Sequence, residues 1–338
     1  MTSAPTSLCS FATELSARAP EMGYPTLHGR HVAMHATCGL GHRLLRNAQI
    51  FHAARRAGYA VRASWFPWTE LFDDTDDLFG SPAGERPAFE FGNEASEIHP
   101  VSVAETDPEI TLYRDLDVPA RLRFDVGGCA DEFRWNREVF GPAATDHTID
   151  FHLRLASQLR PHWAERIDTF LADTVGARRL VAIHLRTGNG ETGDFENKQR
   201  AIPIAEILRS FARELDREPA NTAVLVASDS IKPASILREL TDHDVCVFTD
   251  TLPTVGHAIG DWVVPNASDD VVGQSPIERV ELTFEAYADL LLLGMADHLY
   301  AGAWSSFLTA PVAMNRRRVD LGTQLTIYDT NRPGWRPI

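Results

Sequence analysis

Apolar residues recur along this chain with two different periods, and the order in which those periods alternate points to a fold. In the second half, apolar runs of strand length stand at residues 180–183, 223–227 and 245–249. Each is followed by a stretch with apolar positions three and four residues apart, the spacing of an amphipathic helix. The spacing predicts helices over 204–215, 233–240 and 277–295, then a short strand over 298–301. The first half opens the same way. A strand over 31–36 leads into a glycine-bearing loop, and Leu44, Leu45, Ala48, Phe51, Ala54 and Ala57 then form one helical stripe that stops at Gly58. Residues 59–65 read as the next strand. A further helix is predicted over 148–172 from Phe151, Leu153, Leu155, Leu159 and Trp163.

Strands and helices in strict alternation imply a parallel sheet with helices on both faces. The expected class is therefore α/β, with two Rossmann-like domains facing each other across a cleft. We place a loose segment at 1–29, rich in Ser, Thr, Ala and Pro, an N-terminal domain at 30–175 and a C-terminal domain at 176–338. The stretch 66–150 resists this pattern. Pro, Gly and acidic residues are dense there, and Asp73, Asp74, Asp76 and Asp77 read as a solvated loop, since the glycine and terminal Glu of a calcium loop are missing. Trp65, Trp68 and Trp135 lie within or beside it, as core residues or as stacking surfaces.

Composition narrows the functions. The 338 residues leave room for two domains, and 44% hydrophobic with 23% charged residues is ordinary for a globular protein. A net charge of −15 argues against a nucleic-acid partner, which calls for a basic face. One small phosphorylated ligand remains compatible with it. Cys9, Cys38, Cys129 and Cys246 form no CxxC pair, so no zinc spacing is present and a reducing compartment is expected. The first thirty residues lack the basic start and apolar core of a secretory leader. The longest apolar block, around Leu290 to Leu293, is far short of a membrane span. A cytoplasmic location is expected.

The candidate chemistry sits at strand ends. The run 180–183 passes into His184-Leu185-Arg186-Thr187-Gly188-Asn189-Gly190-Glu191-Thr192-Gly193-Asp194. Glycines allow backbone to approach a ligand closely, and Arg presents a fork of donors suited to phosphate. The next strand ends in Ser228-Asp229-Ser230, and the strand over 298–301 is followed by Ser305-Ser306-Phe307. In an open α/β sheet such ends line one edge, where ligands bind. Ser305 and Ser306 precede a helical stretch whose N-terminus suits an anion. The serines equally suit helix capping without a ligand.

These motifs resemble the α-1,6- and protein O-fucosyltransferase superfamily. The segment 184–191 looks like its first motif, in particular as found in bacterial nodulation-type chitooligosaccharide α-1,6-fucosyltransferases, where it runs His-x-Arg-His-Gly-Asn-Gly-Glu. The Gly39-Leu40-Gly41-His42-Arg43 loop is similar to the glycine loop of their N-terminal domain. Ser228-Asp229-Ser230 resembles their second motif, and residues 286–293 with Ser305-Ser306-Phe307 their third. The likeness covers roughly 31–65 and 178–312. Thr187 departs from it, standing where the motif has a second basic residue, and this weakens diphosphate neutralisation or shifts it to Arg43, Lys198 or Arg200. Residues 66–150 carry no likeness, so the acceptor is unspecified.

The resemblance implies a GT-B fold and an inverting glycosyltransferase that uses GDP-fucose or a related GDP-sugar, with no metal and no other cofactor. It implies that Arg186 clamps the β-phosphate and that Gly39, Gly41, Arg43, His184, Gly188, Asn189, Gly190, Asp229, Ser305, Ser306 and Phe307 surround the donor, Asp229 at the guanine. Glu191 is the expected catalytic base or a sugar contact, and Asp194, Lys198 and Arg200 are further phosphate or sugar contacts. Its partners would be a nucleotide sugar and a soluble acceptor. Two alternatives stay open: the same fold using another nucleotide sugar or making a pseudo-glycosidic coupling, and a nucleotide- or glycan-binding protein without turnover.

Overall fold

The structure is a computed structural model. It describes residues 5–19, 21–26, 31–34, 60–63, 68–73, 89–91, 98–100, 142–186, 204–249, 276–302, 305–328 and 335–337, with scattered positions between 40 and 58. Among the described residues, ten strands form two sheets. Strands β1 (His31–Met34), β2 (Ala60–Ala63), β3 (Phe89–Phe91) and β4 (Ile98–Pro100) make a four-stranded sheet in the order β2-β1-β3-β4. Its first three strands are parallel, and β4 closes it antiparallel to β3. The second sheet holds β5 (Arg179–Leu185), β6 (Thr222–Ser228), β7 (Asp244–Cys246), β8 (His298–Gly302), β9 (Gln324–Tyr328) and β10 (Trp335–Pro337), in the order β10-β9-β8-β5-β6-β7. All its pairs are parallel except β9 with β10.

Among the described residues, seven longer helices accompany the sheets: α1 (Leu8–Ser16), α2 (Pro142–Ser157), α3 (Pro161–Phe170), α4 (Ile204–Leu215), α5 (Lys232–Leu240), α6 (Pro276–Met295) and α7 (Thr309–Arg317). The predicted helix over 204–215 matches α4, and the apolar run over 180–183 forms the middle of β5. The single helix expected over 148–172 is instead two, plus a π-helical turn at Leu171–Val175. Pro161 has no N–H and starts α3. The freed segment before it exchanges backbone hydrogen bonds with residues 71–73: Asp73 donates to Gln158 at 2.7 Å and Arg160 to Leu71 at 2.9 Å.

Strand β5 is buried along almost its whole length, as an inner parallel strand covered on both faces should be. Its alternation sorts the core. Val181, Ile183 and Leu185 face one side with Val224 and Val226, against Ile207, Phe211 and Leu215 of α4 and Leu237 of α5. Leu180 and Ala182 face the other, with Leu225 and Leu299, against Phe284, Leu291 and Met295 of α6 and Val312 of α7. Helix α6 is sealed nearly all round from Leu282 to Met295, which is why its Leu290 to Leu293 run is so apolar without spanning a membrane. At Gly294 it approaches α7 closely: a Cβ there would stand 2.6 Å from Met314 Sδ.

The lead-in expected to be loose contains α1. Ser7 caps it with a reciprocal Ser10 contact, and Leu8, Phe11 and Leu15 enter the main core. The Leu8 N–H donates to Asp168 Oδ1 at 2.6 Å. Glu14 Oε1 accepts from Arg318 Nε at 2.5 Å, and the buried Arg318 also donates to the carbonyls of Gly294, Met295 and Ala296. One arginine thus satisfies the carbonyls where α6 ends.

Candidate functional site

Strand order locates the site. From β5 the chain moves outward through β6 to β7, then returns to β5's other side and continues through β8 to β9. The direction reverses between β5 and β8. At such a switch point the loops leaving two adjacent strands diverge and open a crevice at their carboxyl ends. The loop leaving β5 begins at Arg186, and the loop leaving β8 reaches Ser305 within three residues of Gly302. Register puts His184 level with Ala227 of β6 and Ala301 of β8, so three of the motif-bearing strands end side by side.

His184 shares the β5 face of Leu180 and Ala182, toward α6 and α7. Its ring stacks on Phe307 with centroids 5.2 Å apart and planes at 25°. Nδ1 lies 3.2 Å from the Ala227 carbonyl, which only accepts, so the proton sits on Nδ1. The stack joins the β5 motif to the turn after β8. Ser305 is buried, and its carbonyl accepts from Leu308 N–H at 3.1 Å, closing a short 3-10 turn, Ser306–Leu308, that runs into α7. The first N–H groups of this helical segment have no partners within it, and they stand at the crevice. Arg186 follows β5 directly and is partly exposed.

At the end of β6 the two serines serve the backbone. Ser228 Oγ accepts from Ser230 N–H at 3.3 Å, and Ser230 Oγ accepts from Lys232 N–H at 3.2 Å, at the start of α5. Asp229 between them is partly exposed. Gly41 is a buried position in the helical stretch after β1, and Ser306 lies in the 3-10 turn. Gly39, Arg43, Gly188, Asn189, Gly190, Glu191, Asp194, Lys198 and Arg200 lie outside the described residues, as do Trp65 and Trp135.

One polar group at this end carried no assignment in the sequence. Asp289 of α6 is 5% exposed. Its Oδ2 accepts from Thr249 Oγ1 at 2.8 Å, three residues beyond β7, and its buried Oδ1 has no hydrogen-bond partner among the described residues. Burial pushes its carboxyl up to about 8; the Thr249 hydrogen bond opposes this and the charge of Glu285 adds to it. The signal available was a lone Asp in the run Ala286-Tyr287-Ala288-Asp289-Leu290-Leu291. A carboxylate in so apolar a helix needs a reason.

The opposite edge of the sheet is different in kind. A cavity of about 530 Å³ opens there, lined by Arg179, Glu218, His298, Tyr300 and Gln324 among others. Its central carboxylate is already occupied: Glu218 meets His298 Nδ1 at 2.5 Å, Tyr300 OH at 3.0 Å and Arg179 Nε at 3.0 Å. Among the described residues, no group of three His, Cys, Asp or Glu side chains could hold a metal ion. None of the described helices is long and apolar enough to cross a membrane.

No protein-family model matches the sequence, and neither does any curated protein sequence. Solved structures do match. NodZ α-1,6-fucosyltransferase soaked with GDP-fucose is similar at 15% identity and a TM-score of 0.52, over 91% of this chain and 99% of that one. Fucosyltransferase NodZ from Bradyrhizobium is similar at 14% identity and a TM-score of 0.50, again over 91% and 99%. NodZ co-crystallised with GDP gives 14% and 0.50, over 91% and 98%. This likeness establishes the fold, the GT-B arrangement of the fucosyltransferases.

Proposed function

We propose that the protein transfers fucose or a related sugar from a GDP-sugar to a hydroxyl of a glycan, peptide or natural-product acceptor. In this proposal the anomeric centre is inverted and no metal ion takes part. The observation that carries the reading is the junction at the β5–β8 switch point. There the His184–Phe307 stack joins the Arg186 strand end to the Ser305 turn, on a fold shared with an enzyme soaked with GDP-fucose. The donor half is assigned to residues 176–338 and the acceptor half to 30–175, with α2 packed against α7 and α1. A cytoplasmic location belongs to the same reading, supported by free thiols at Cys9 and Cys246.

The chemistry follows from these positions. The acceptor oxygen attacks C1 of the sugar as the bond from C1 to the β-phosphate oxygen breaks. GDP leaves with the electron pair, and the acceptor proton passes to a base. Negative charge grows on the diphosphate, where donors already in place stabilise it most effectively. Arg186 supplies the guanidinium fork and the Ser305–Phe307 turn supplies N–H groups, with Arg43, Lys198 and Arg200 as further cations. The glycines of the two loops, Gly39, Gly41, Gly188 and Gly190, let backbone approach the phosphates, and Asn189 contacts the sugar. Glu191, with Asp194 as second candidate, takes the proton.

We assign two carboxylates to the nucleoside end of the donor, Asp289 and Asp229. Guanine presents adjacent N1–H and N2–H donors, which one carboxylate can accept together. Asp289 has a buried oxygen that nothing else holds, so we assign it the guanine edge, with Asp229 contacting base or ribose. The test is transfer from radiolabelled GDP-fucose to an acceptor panel, paired with Arg186→Lys. Lysine keeps the charge and loses the fork. We expect kcat to fall at least about 100-fold with the melting temperature unchanged. A near-normal kcat would remove Arg186 from the leaving-group role.

A further inference from the structure

We infer that guanine-nucleotide binding expels a proton from the Glu285–Asp289 pair, so that affinity for the nucleotide rises with pH. The inference rests on the donor reading above and adds to it the protonation state before the nucleotide binds. Glu285 and Asp289 are one helical turn apart on α6, 2% and 5% exposed. Thr249 Oγ1 holds one Asp289 oxygen, and the other is buried with no partner among the described residues. The charged group that bears on Asp289 is Glu285, of like sign. From α3, Arg166 faces the pair, but its Nη2 stands 3.9 Å from Glu285 and its Nη1 is engaged by Glu281 at 2.6 Å. No described cation offsets a charge on Asp289.

A buried carboxylate with a like charge one turn away and no described cation beside it holds a proton in the nucleotide-free protein. Burial, lifting the Asp289 carboxyl to about 8, agrees with this. A base with two adjacent N–H donors changes the balance. It needs two accepting oxygens, and the O–H of a neutral acid would oppose one of its donors. Binding therefore converts the Asp289 carboxylic acid to carboxylate and releases H⁺ to solvent, with no other bond made or broken. Above pH 8 the acid is already ionised and the linkage disappears.

Calorimetric titration with GDP, in buffers of different ionisation enthalpy, counts the protons directly. At pH 7 we expect about 0.9 proton released per GDP, falling toward zero by pH 9, with affinity rising about tenfold over that interval. Asp289→Asn should bind GDP more weakly, with no proton release and a flat pH profile. Glu285→Gln retains the acceptor and removes the like charge, so its release should fade at lower pH than in the wild type. GDP binding without proton release at pH 7, or with the same release in Asp289→Asn, overturns the linkage and leaves the donor reading standing. If GDP fails to bind at any pH, the donor reading falls, and the linkage with it.

Discussion

His152 of α2 is 1% exposed, and neither ring nitrogen has a hydrogen-bond partner among the described residues. Its ring lies edge-on to Phe151 at 5.4 Å and nearly parallel to Tyr287 at 6.2 Å. Burial lowers its basicity to about 3, from an ordinary value of 6.5. Below pH 6.5 the unfolded chain therefore takes up a proton that the folded protein refuses, and stability falls with pH. The interval is about 3.5 units, or roughly 5 kcal/mol if acidification reached pH 3, and about 2 kcal/mol at pH 5. Asp289 works in the opposite sense. Its carboxyl is raised, so the folded state binds the extra proton, and its contribution grows as pH falls from 8 toward 3.8. The two effects cancel in part, so the pH profile of the wild type alone decides nothing. The informative quantity is the difference between wild type and His152→Phe, which keeps an aromatic ring and removes the titration. Urea unfolding at pH 8, 6 and 5 should show the variant at least as stable at pH 8, because two unpaired buried nitrogens are gone. Its advantage should widen by about 2 kcal/mol by pH 5. A gap that stays constant with pH refutes the account of His152 as a buried neutral imidazole.

Glu218 offers the converse test. Burial alone would push its carboxyl up, but hydrogen bonds and charge from His298, with Tyr300 and Arg179, outweigh it and hold it at about 2. The stabilisation is full above 4.5 and vanishes as pH falls through 2, so Glu218→Gln should lose about 3 kcal/mol at pH 7 and converge on wild type in acid unfolding curves. Arg318→Ala leaves Glu14 and three helix-end carbonyls without their donor, and urea unfolding should show a loss of about 3–5 kcal/mol. Gly294→Ala presses on Met314 and should cost about 1–3 kcal/mol in the same assay, with Met314→Ala in the same chain recovering part of it.

The legible parts of the sequence were those where one local pattern decides the outcome. The run Leu180-Val181-Ala182-Ile183 has a single solution, an inner parallel strand, and the motif residues at its end follow from it. The strand expected over 245–249 stops at Cys246, because Phe248 leaves the ladder to pack edge-on against Phe170 and Phe284. That depends on partners about 80 and 40 residues away. Helix α1 was hidden because the segment around it is rich in Ser, Thr, Ala and Pro, although Leu8, Phe11 and Leu15 keep the helical spacing. β9 and β10 lacked a distinguishing pattern of their own. In the candidate site, the places of His184 and Arg186 at the end of a buried strand were readable. The duties of Ser228 and Ser230 toward the start of α5 were not separable from ligand binding until the hydrogen bonds were seen. Asp289 stood inside the third motif with no role of its own, a misfit in an apolar helix, and its hydrogen bond depends on Thr249, 40 residues earlier.

The tie between Glu14 and Arg318 spans about nine-tenths of the chain. As the protein is synthesised, α1 emerges about 300 residues before the arginine that anchors it. For most of its time on the ribosome the apolar stripe of Leu8, Phe11 and Leu15 has no α7 end to dock beside, and contacts of such long sequence separation form late. A fusion that crowds the first residues, or a release before residue 318, would leave the end of α6 with unsatisfied carbonyls and α1 without its anchor. Helix α1 and the end of α7 mature together, after the roughly 300 residues between them have been made.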